Sequence, residues 1–387
     1  MRMLLPFFSI MPALIYALIT LYCGWRFFSK GPGTGSRDLV TANSLVLPGV
    51  TILKPVKGMD GESYSNFESF CRQSFAGNMQ IVFAAASADD PAIGVIQRLI
   101  SAHPDMDISL VVNPAIHGPN YKVSNLINAF PKARHDIIIV CDSDIRVRPD
   151  YLSSVTAHFR DPRVGLVTSL YRTSNVHGVA TAIEATGFTA EMIPNVMVAL
   201  RLEGLTFALG ASMAVRRESL ASIGGFEALA DYLADDYQLG NKVHLAGWRI
   251  ALDSCFVESI MKEESIISVL SRQLRWARTM RVSRPGGYLA SGMTLPFMAV
   301  MLAAFTAPSI QLSLTAITLL YAVRLGVTTI YSRRLAGDQL MPVWLWLVPL
   351  RDMLGFFTWA LAFLGNSVEW RGSRFRLKPG GKLEELA

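Results

Sequence analysis

The apolar positions begin as one long run, Met3 to Phe28, with Arg26, Lys30 and Arg37 at or beyond its far end. A helix crossing a bilayer needs ~20 apolar residues, so the run predicts a membrane anchor. A cleaved signal peptide is the competing reading, but the stretch is long for such a segment and no small-x-small cleavage site follows it. The basic residues place the next domain in the cytoplasm. Gly31 to Asn43, rich in Gly, Ser and Thr, reads as a linker. The pattern then changes. Strand-like runs at Val50–Leu53, Ile81–Phe83, Ile108–Val112 and Ile137–Val140 alternate with helical patterns at Glu62–Ser74, Pro91–Ala102 and Val123–Phe130. Strands recurring at about 30 residues, with helices between them, predict an α/β fold with a parallel sheet and right-handed crossovers. Val164–Thr168 and Phe207–Leu209 read as shorter strands. The charge-poor helical stretch Val179–Leu200 lies between them and reads as core, with contact to a membrane surface or a lipid acceptor as the alternative.

The apolar pattern returns at the C-terminal end. Gly287 to Tyr331 is 45 residues with one formal charge, Arg324, which predicts two spans with a break near Pro308. Two spans return the chain to the cytoplasm at Arg333-Arg334. Met341 to Gly365 could form a third, but Arg351-Asp352 falls at its middle. A single crossing would bury that pair and export Arg371, Arg374, Arg376, Lys378 and Lys382, so a re-entrant hairpin turning near Pro349 is the expected arrangement.

Composition agrees with this division. The chain is 51% hydrophobic and 17% charged, with mean hydropathy +0.34, too apolar for an ordinary soluble protein. The formal charge of +6 lies largely beside the apolar runs, where it reads as lipid attraction. There is no aromatic-basic nucleic-acid module, so nucleic acid is not an expected partner. The four cysteines are far apart, without metal spacing. Neither Gly-x-Gly-x-x-Gly nor Gly-x-x-x-x-Gly-Lys-Ser/Thr occurs, which excludes the usual dinucleotide and P-loop enzymes.

Three clusters can carry chemistry. Asp142 and Asp144 follow the run Ile137–Val140 directly, and ligands of open parallel sheets bind at the carboxyl ends of strands. One carboxylate can hold a hydroxyl and the other a hard divalent cation, although the pair alone would serve equally as a polar cap. Asp235 and Asp236 open a helix whose Leu239, Val243 and Ala246 recur at helical spacing. In that first turn they either complement the helix dipole or supply a general base kept ionised by backbone N–H groups. Arg272, Arg275, Arg278, Arg281 and Arg284 recur every third residue. They form either a basic face near lipid headgroups or a guanidinium site for a pyrophosphate, with Trp276 a flat platform for a sugar.

These pieces occur in a telling order: Lys54-Pro55-Val56-Lys57-Gly58, Asp89-Asp90-Pro91-Ala92, Lys122-Val123-Ser124-Asn125-Leu126, Cys141-Asp142-Ser143-Asp144, Ala234-Asp235-Asp236-Tyr237, Arg272-Gln273-Leu274-Arg275-Trp276 and Glu369-Trp370-Arg371-Gly372. In this order the sequence resembles the ceramide glucosyltransferase family, membrane-bound inverting glycosyltransferases of GT-A fold. Within that family it is most similar to the bacterial hopanoid-biosynthesis-associated branch.

The resemblance implies a Rossmann-like, mostly parallel GT-A sheet and transfer of a sugar from a UDP-sugar, UDP-N-acetylglucosamine or UDP-glucose, to a membrane lipid hydroxyl, hopanoid or ceramide-like. It implies that Asp90 holds the uridine, a role Asp89 could share. An acid often found earlier in that loop is replaced here by Ser87. Asp142 would contact the ribose or donor sugar, Asp144 would ligate Mg²⁺ or Mn²⁺, and Lys122 and Asn125 would line the donor pocket. Asp236 would be the catalytic base, with Arg272, Arg275 and Trp276 beside the diphosphate and acceptor. The expected organisation is an anchor over 1–30, a cytoplasmic GT-A domain over 44–286, transmembrane and re-entrant helices over 287–366 and a basic tail over 367–387, in a bacterial inner membrane. A processive polysaccharide synthase and a catalytically idle nucleotide-binding scaffold are the alternatives. The few spans after the catalytic region argue against the first, and retention of Asp142, Asp144 and Asp236 against the second.

Overall fold

Strand β1 (Val50–Pro55) is buried along its whole length, as is β4 (Ile137–Cys141), which explains why both read as continuous apolar runs rather than alternating ones. The computed structural model describes residues 2–29, 48–60, 62–338, 341–370 and 372–386. The linker Gly31–Asn43, with Lys30, Arg37 and Arg371, lies outside the described residues. The chain divides into two compact units, one formed by Lys30–Asn175 and Glu203–Lys262, the other by Met1–Ser29, Val176–Leu202 and Glu263–Ala387.

The first is a sheet unit. Adding β2 (Met79–Ala85), β3 (Asp107–Val112), β5 (Ile145–Arg146), β6 (Val164–Ser174), β7 (Ser212–Arg216) and β8 (Arg249–Ile260) gives eight strands in the order β3-β2-β1-β4-β7-β6-β8-β5. The pairs β1/β2, β2/β3, β1/β4 and β6/β8 are parallel, while β7 runs antiparallel to both β4 and β6. Helices Ser63–Cys71, Ala92–Ala102 and Tyr121–Ala129 fill the crossovers. Phe67, Phe70, Phe83, Ile96, Leu99 and Tyr151 are among the residues that close the core.

Phe207–Leu209 is not a strand. Leu209 N–H donates to the Thr168 hydroxyl (2.9 Å) instead of joining a ladder, and the following strand starts only at Ser212. A Cβ at Gly240 would come within 2.3 Å of the Ala208 nitrogen, so the helix Asp235–Leu245 presses on this segment and holds it out of the sheet. The long strand β8 had no clear signature in the sequence, because its residues Arg249 to Ile260 neither alternate nor form an apolar run.

The second unit is helical. Arg2–Phe28, Ile310–Leu335 and Pro342–Leu364 are long and apolar enough to cross a bilayer. Ile10, Ala13, Ala299, Ala303, Ala316 and Leu320 pack together, the alanines letting the helices approach closely. The helices Pro296–Thr306 and Ile310–Ile330 are separated near Pro308, where the Ser309 side chain caps the second. The bend lies elsewhere: Pro285–Thr294 and Pro296–Thr306 meet at 53°, the geometry of a broken span or re-entrant loop.

The hairpin expected at Pro349 is absent. Pro349 occupies the first turn of the helix Val348–Leu361, where its missing N–H costs nothing, and the helical path from Pro342 to Leu364 continues through it. The charges that argued against a straight helix are matched internally. Asp352 Oδ1 lies 2.8 Å from Arg324 Nη2, Arg324 Nη1 donates to the Ala190 carbonyl (2.9 Å), and Arg351 pairs with Glu191 (2.7 Å). Removing one partner of a buried pair leaves an uncompensated charge. Asp352→Leu should therefore destabilise the detergent-solubilised protein by about 3–5 kcal/mol, and the double variant Arg324→Leu/Asp352→Leu should recover most of that. Denaturant unfolding of both variants measures the difference, and a double variant no better than the single one contradicts the account.

Ser367–Trp370, Ser373–Leu377 and Leu383–Glu385 form a small antiparallel sheet near the C-terminal end. Arg281 donates to the Gly365 carbonyl (3.2 Å) and Arg278 to that of Ser367. These two members of the arginine series therefore tie the helix Ile266–Ser283 to the start of this sheet.

Candidate active site

The carboxyl ends of β1 and β4 are joined by a buried lysine. Lys54, at the end of β1, is fully buried, with its ammonium 4.0 Å from the Phe70 ring centre, and it donates to the Asp142 carbonyl at 2.9 Å. Burial lowers the Lys54 pKa, and the acidic groups of Cys141, Asp144, Asp142 and Asp60 oppose that shift. Asp144 accepts from the Ser259 hydroxyl through Oδ2 (2.8 Å), while its backbone carbonyl takes the Ile260 N–H (3.0 Å). Burial first, and then the neighbouring Asp142 charge, push the Asp144 carboxyl up to about 6 against the Ser259 hydrogen bond. Between these two acids, Ser143 donates to Asp60 Oδ2 (3.0 Å), and Asp60 pairs with Lys262 (2.7 Å).

A second junction brings in the other acidic pair. Asn120 caps the helix Tyr121–Ala129 by accepting from Val123 N–H (3.2 Å), and its amide donates to the Tyr232 carbonyl (2.8 Å). That cap aims Lys122, whose Nζ lies 2.8 Å from Asp142 Oδ1 and 3.2 Å from Asp235 Oδ2. One ammonium thus bridges the strand end and the helix Asp235–Leu245. Burial alone would lower the Lys122 pKa, but Asp142 and Asp235 overcome it and hold it above the ordinary lysine range.

Asp236 accepts from the Tyr237 N–H through Oδ1 (2.7 Å), and a Cβ at Gly210 would come within 2.9 Å of its Oδ2. The Tyr237 N–H favours the ionised form of this acid, as a first-turn position leads one to expect, but burial opposes it. Burial and then Asp235 outweigh Lys122 and the Tyr237 hydrogen bond, and push Asp236 up to about 6.

The predicted nucleotide-side residues are placed less uniformly. The Asp90 carboxylate accepts the Gly58 N–H at 2.9 and 3.1 Å and the Ala92 N–H at 2.9 Å, so it fixes the loop after β1, where Gly58 has φ of +73°. Asp89 is exposed, its own N–H on the Ser87 hydroxyl (3.1 Å). Asn125 is buried, with its amide 3.5 Å from the carbonyls of both Val56 and Ala84. Arg272, Arg275 and Trp276 belong to the helical unit. There Arg272 pairs with Glu184 and with Glu264 (2.8 Å), and Trp276 is 39% exposed. Sequence reasoning had given no role to Lys54, Asp60, Ser259 or Glu184, although Lys54 stands inside a quoted motif.

No group of three His, Cys, Asp or Glu side chains able to hold a metal occurs among the described residues. The two acids Asp142 and Asp144 instead repel one another at a strand end. That donor set fits a hard dication held by one or two carboxylates, with diphosphate oxygens and water completing its shell.

The sheet order and strand directions are those of a GT-A-type glycosyltransferase fold. A mannosyltransferase from Pyrobaculum calidifontis, solved with GDP-Man and Mn²⁺, superposes on 90% of this chain and 99% of its own, with a TM-score of 0.54 at 17% identity. The family model described as glycosyl transferase family 21 matches residues 5–383, and the chain belongs to that family. Ceramide glucosyltransferase 3 of Caenorhabditis elegans is 26% identical over 345 residues, covering 87% of this chain and 74% of its own. A ceramide glucosyltransferase of Candida albicans is 36% identical over 128 residues, covering 30% of this chain and 24% of its own.

Proposed function

We propose that this glycosyltransferase moves a sugar from a UDP-sugar to the hydroxyl of a membrane lipid, inverting the anomeric carbon. The observation that carries the reading is Lys122, which joins Asp142 to Asp235 and so ties the strand-end acids to the helix bearing Asp236. The ceramide glucosyltransferase relatives support a lipid acceptor, and the long apolar helices support a membrane setting.

In this reading Asp90, with Asp89 beside it, and Asn125 shape the nucleotide end of the site. Lys122 and Asp142 hold the ribose and sugar. Asp144, with Asp142 adjacent, would hold Mg²⁺ or Mn²⁺, which when bound neutralises charge on the leaving diphosphate. Asp236 takes the acceptor proton as that oxygen bonds to the anomeric carbon, and the bond to UDP breaks with its electron pair leaving on the phosphate. Only one protein carboxylate is needed as base, because UDP leaves without protonation. Arg275 and Trp276 serve the diphosphate and acceptor.

A bacterial inner membrane with the sheet unit facing the cytoplasm suits a soluble donor. UDP-N-acetylglucosamine or UDP-glucose is the donor, and a hopanoid polyol or ceramide-like alcohol the acceptor. Purified full-length protein should release UDP in a Mg²⁺- or Mn²⁺-dependent manner only when a lipid alcohol is supplied. Equal release without lipid overturns lipid glycosylation.

A further inference from the structure

The Arg-Trp segment has a dedicated partner that no sequence motif marks. Glu184, Phe188 and Glu191 stand at i, i+4 and i+7, the spacing of one helical face. Glu184 and Phe188 reach Arg272 and Trp276 directly, and Glu191 reaches Gln273 through Arg351. Glu184, buried, takes the Arg272 guanidinium in a two-pronged pair, Nε to Oε1 at 2.9 Å and Nη2 to Oε2. Phe188 meets the Trp276 ring at 6.1 Å between centroids. Glu191 holds Arg351 (2.7 Å), which in turn donates to Gln273 Oε1 (2.5 Å). A π-helical turn at Phe188–Met192 lies within this face, and a Cβ at Gly187 would come within 2.6 Å of Arg351 Nε, so a larger residue there would require the Arg351 side chain to move.

The electrostatics of Arg272 are decisive. Its Nη1 also donates to Glu264 (2.9 Å), so one guanidinium faces two carboxylates and has no surplus positive charge to offer a pyrophosphate. The same guanidinium lies 5.9 Å from the Trp276 ring centre, which makes it a fixed neighbour of that indole.

We propose that Glu184 is a positioning residue: together with Glu264 it makes Arg272 an internal strut that sets the pose of Trp276 for the acceptor, and Arg272 does not ligate the diphosphate. This rests on the lipid-transfer reading only in assigning the acceptor to Trp276.

The test compares full-length wild type with Glu184→Gln, Glu184→Asp, Arg272→Met and the double Glu184→Gln/Arg272→Met variant. UDP affinity is read by calorimetry with Mn²⁺, and transfer from UDP-glucose is read with a short-chain ceramide. Each of the two charge-removing variants should raise the ceramide KM, or lower kcat/KM for ceramide, about tenfold or more, with the UDP Kd held within about twofold. The double variant should be no worse than the worse single one within about twofold, because both remove the same contact. Glu184→Asp should restore most of the loss. Arg272→Met weakening UDP about tenfold while Glu184→Gln does not, or losses that multiply in the double variant, overturns the proposal. Should wild type transfer nothing to ceramide, that acceptor assignment fails separately. Thermal unfolding of the same variants still decides the strut: non-additive melting shifts support it and additive shifts overturn it.

Discussion

Asp236→Asn lowers the turnover of sugar transfer by about 10²–10⁴-fold, the usual worth of a positioned general base, while the UDP Kd stays close to that of wild type. The asparagine keeps the shape of the side chain and can still accept the Tyr237 N–H, but it cannot take a proton. The adjacent Asp235 is a poor substitute, because its Oδ2 is occupied by Lys122 at 3.2 Å. The wild-type pH profile carries the same assignment. Asp236 is pushed up to about 6 by burial and by Asp235, and the working form of a base is the ionised one. Transfer should therefore be level above about pH 7 and fall about tenfold per unit below about 6, where the carboxyl is protonated. Steady-state rates between pH 5 and 8 test this. An Asp236→Asn variant retaining more than about a tenth of wild-type turnover removes the assignment.

How much of this could be read from the chain depended on whether a residue's partner was near in sequence or in pattern. The strands β1, β2 and β4 were legible because each is buried along nearly all its length, and so is continuously apolar. The acids at the end of β4 and at the start of the helix Asp235–Leu245 were legible because strand ends and helix first turns are where carboxylates act. Lys54 was not, since a lysine at a strand end ordinarily reads as exposed, and it takes partners far along the chain, Phe70 and the Asp142 carbonyl among them, to show how it is buried. The strand β8 was missed because its pattern is mixed, and Ser259, which holds Asp144, went with it. The continuous helical path through Pro349 ran against a sound cost argument, and partners distant in sequence, Arg324 for Asp352 and Glu191 for Arg351, offset that cost. Glu184 lies 88 residues before Arg272, and the sequence offers no periodicity that links them.

The second large effect falls on Lys122, because one side chain neutralises acids from two elements. Lys122→Met leaves Asp142 and Asp235 facing each other across an apolar side chain, without the ammonium that pairs with both. Removing one partner from a buried charge cluster costs about 3–5 kcal/mol. Asp142 is 37% exposed in its side chain, so water screens part of the loss and about 3 kcal/mol is the expected figure. The chemistry should change as well, in a direction that simple loosening of the fold would not produce. Lys122 opposes the upward shift of Asp236, so its removal drives that carboxyl higher still. The acid limb of the pH–rate profile should accordingly move above its wild-type position near 6. Lys122→Arg, which keeps the charge, should leave the limb near its wild-type position even if turnover drops through altered geometry. A limb unmoved in Lys122→Met, or displaced to lower pH, would mean that Asp236 does not feel this ammonium. The bridge between the strand-end acids and the proposed base would then be structural only.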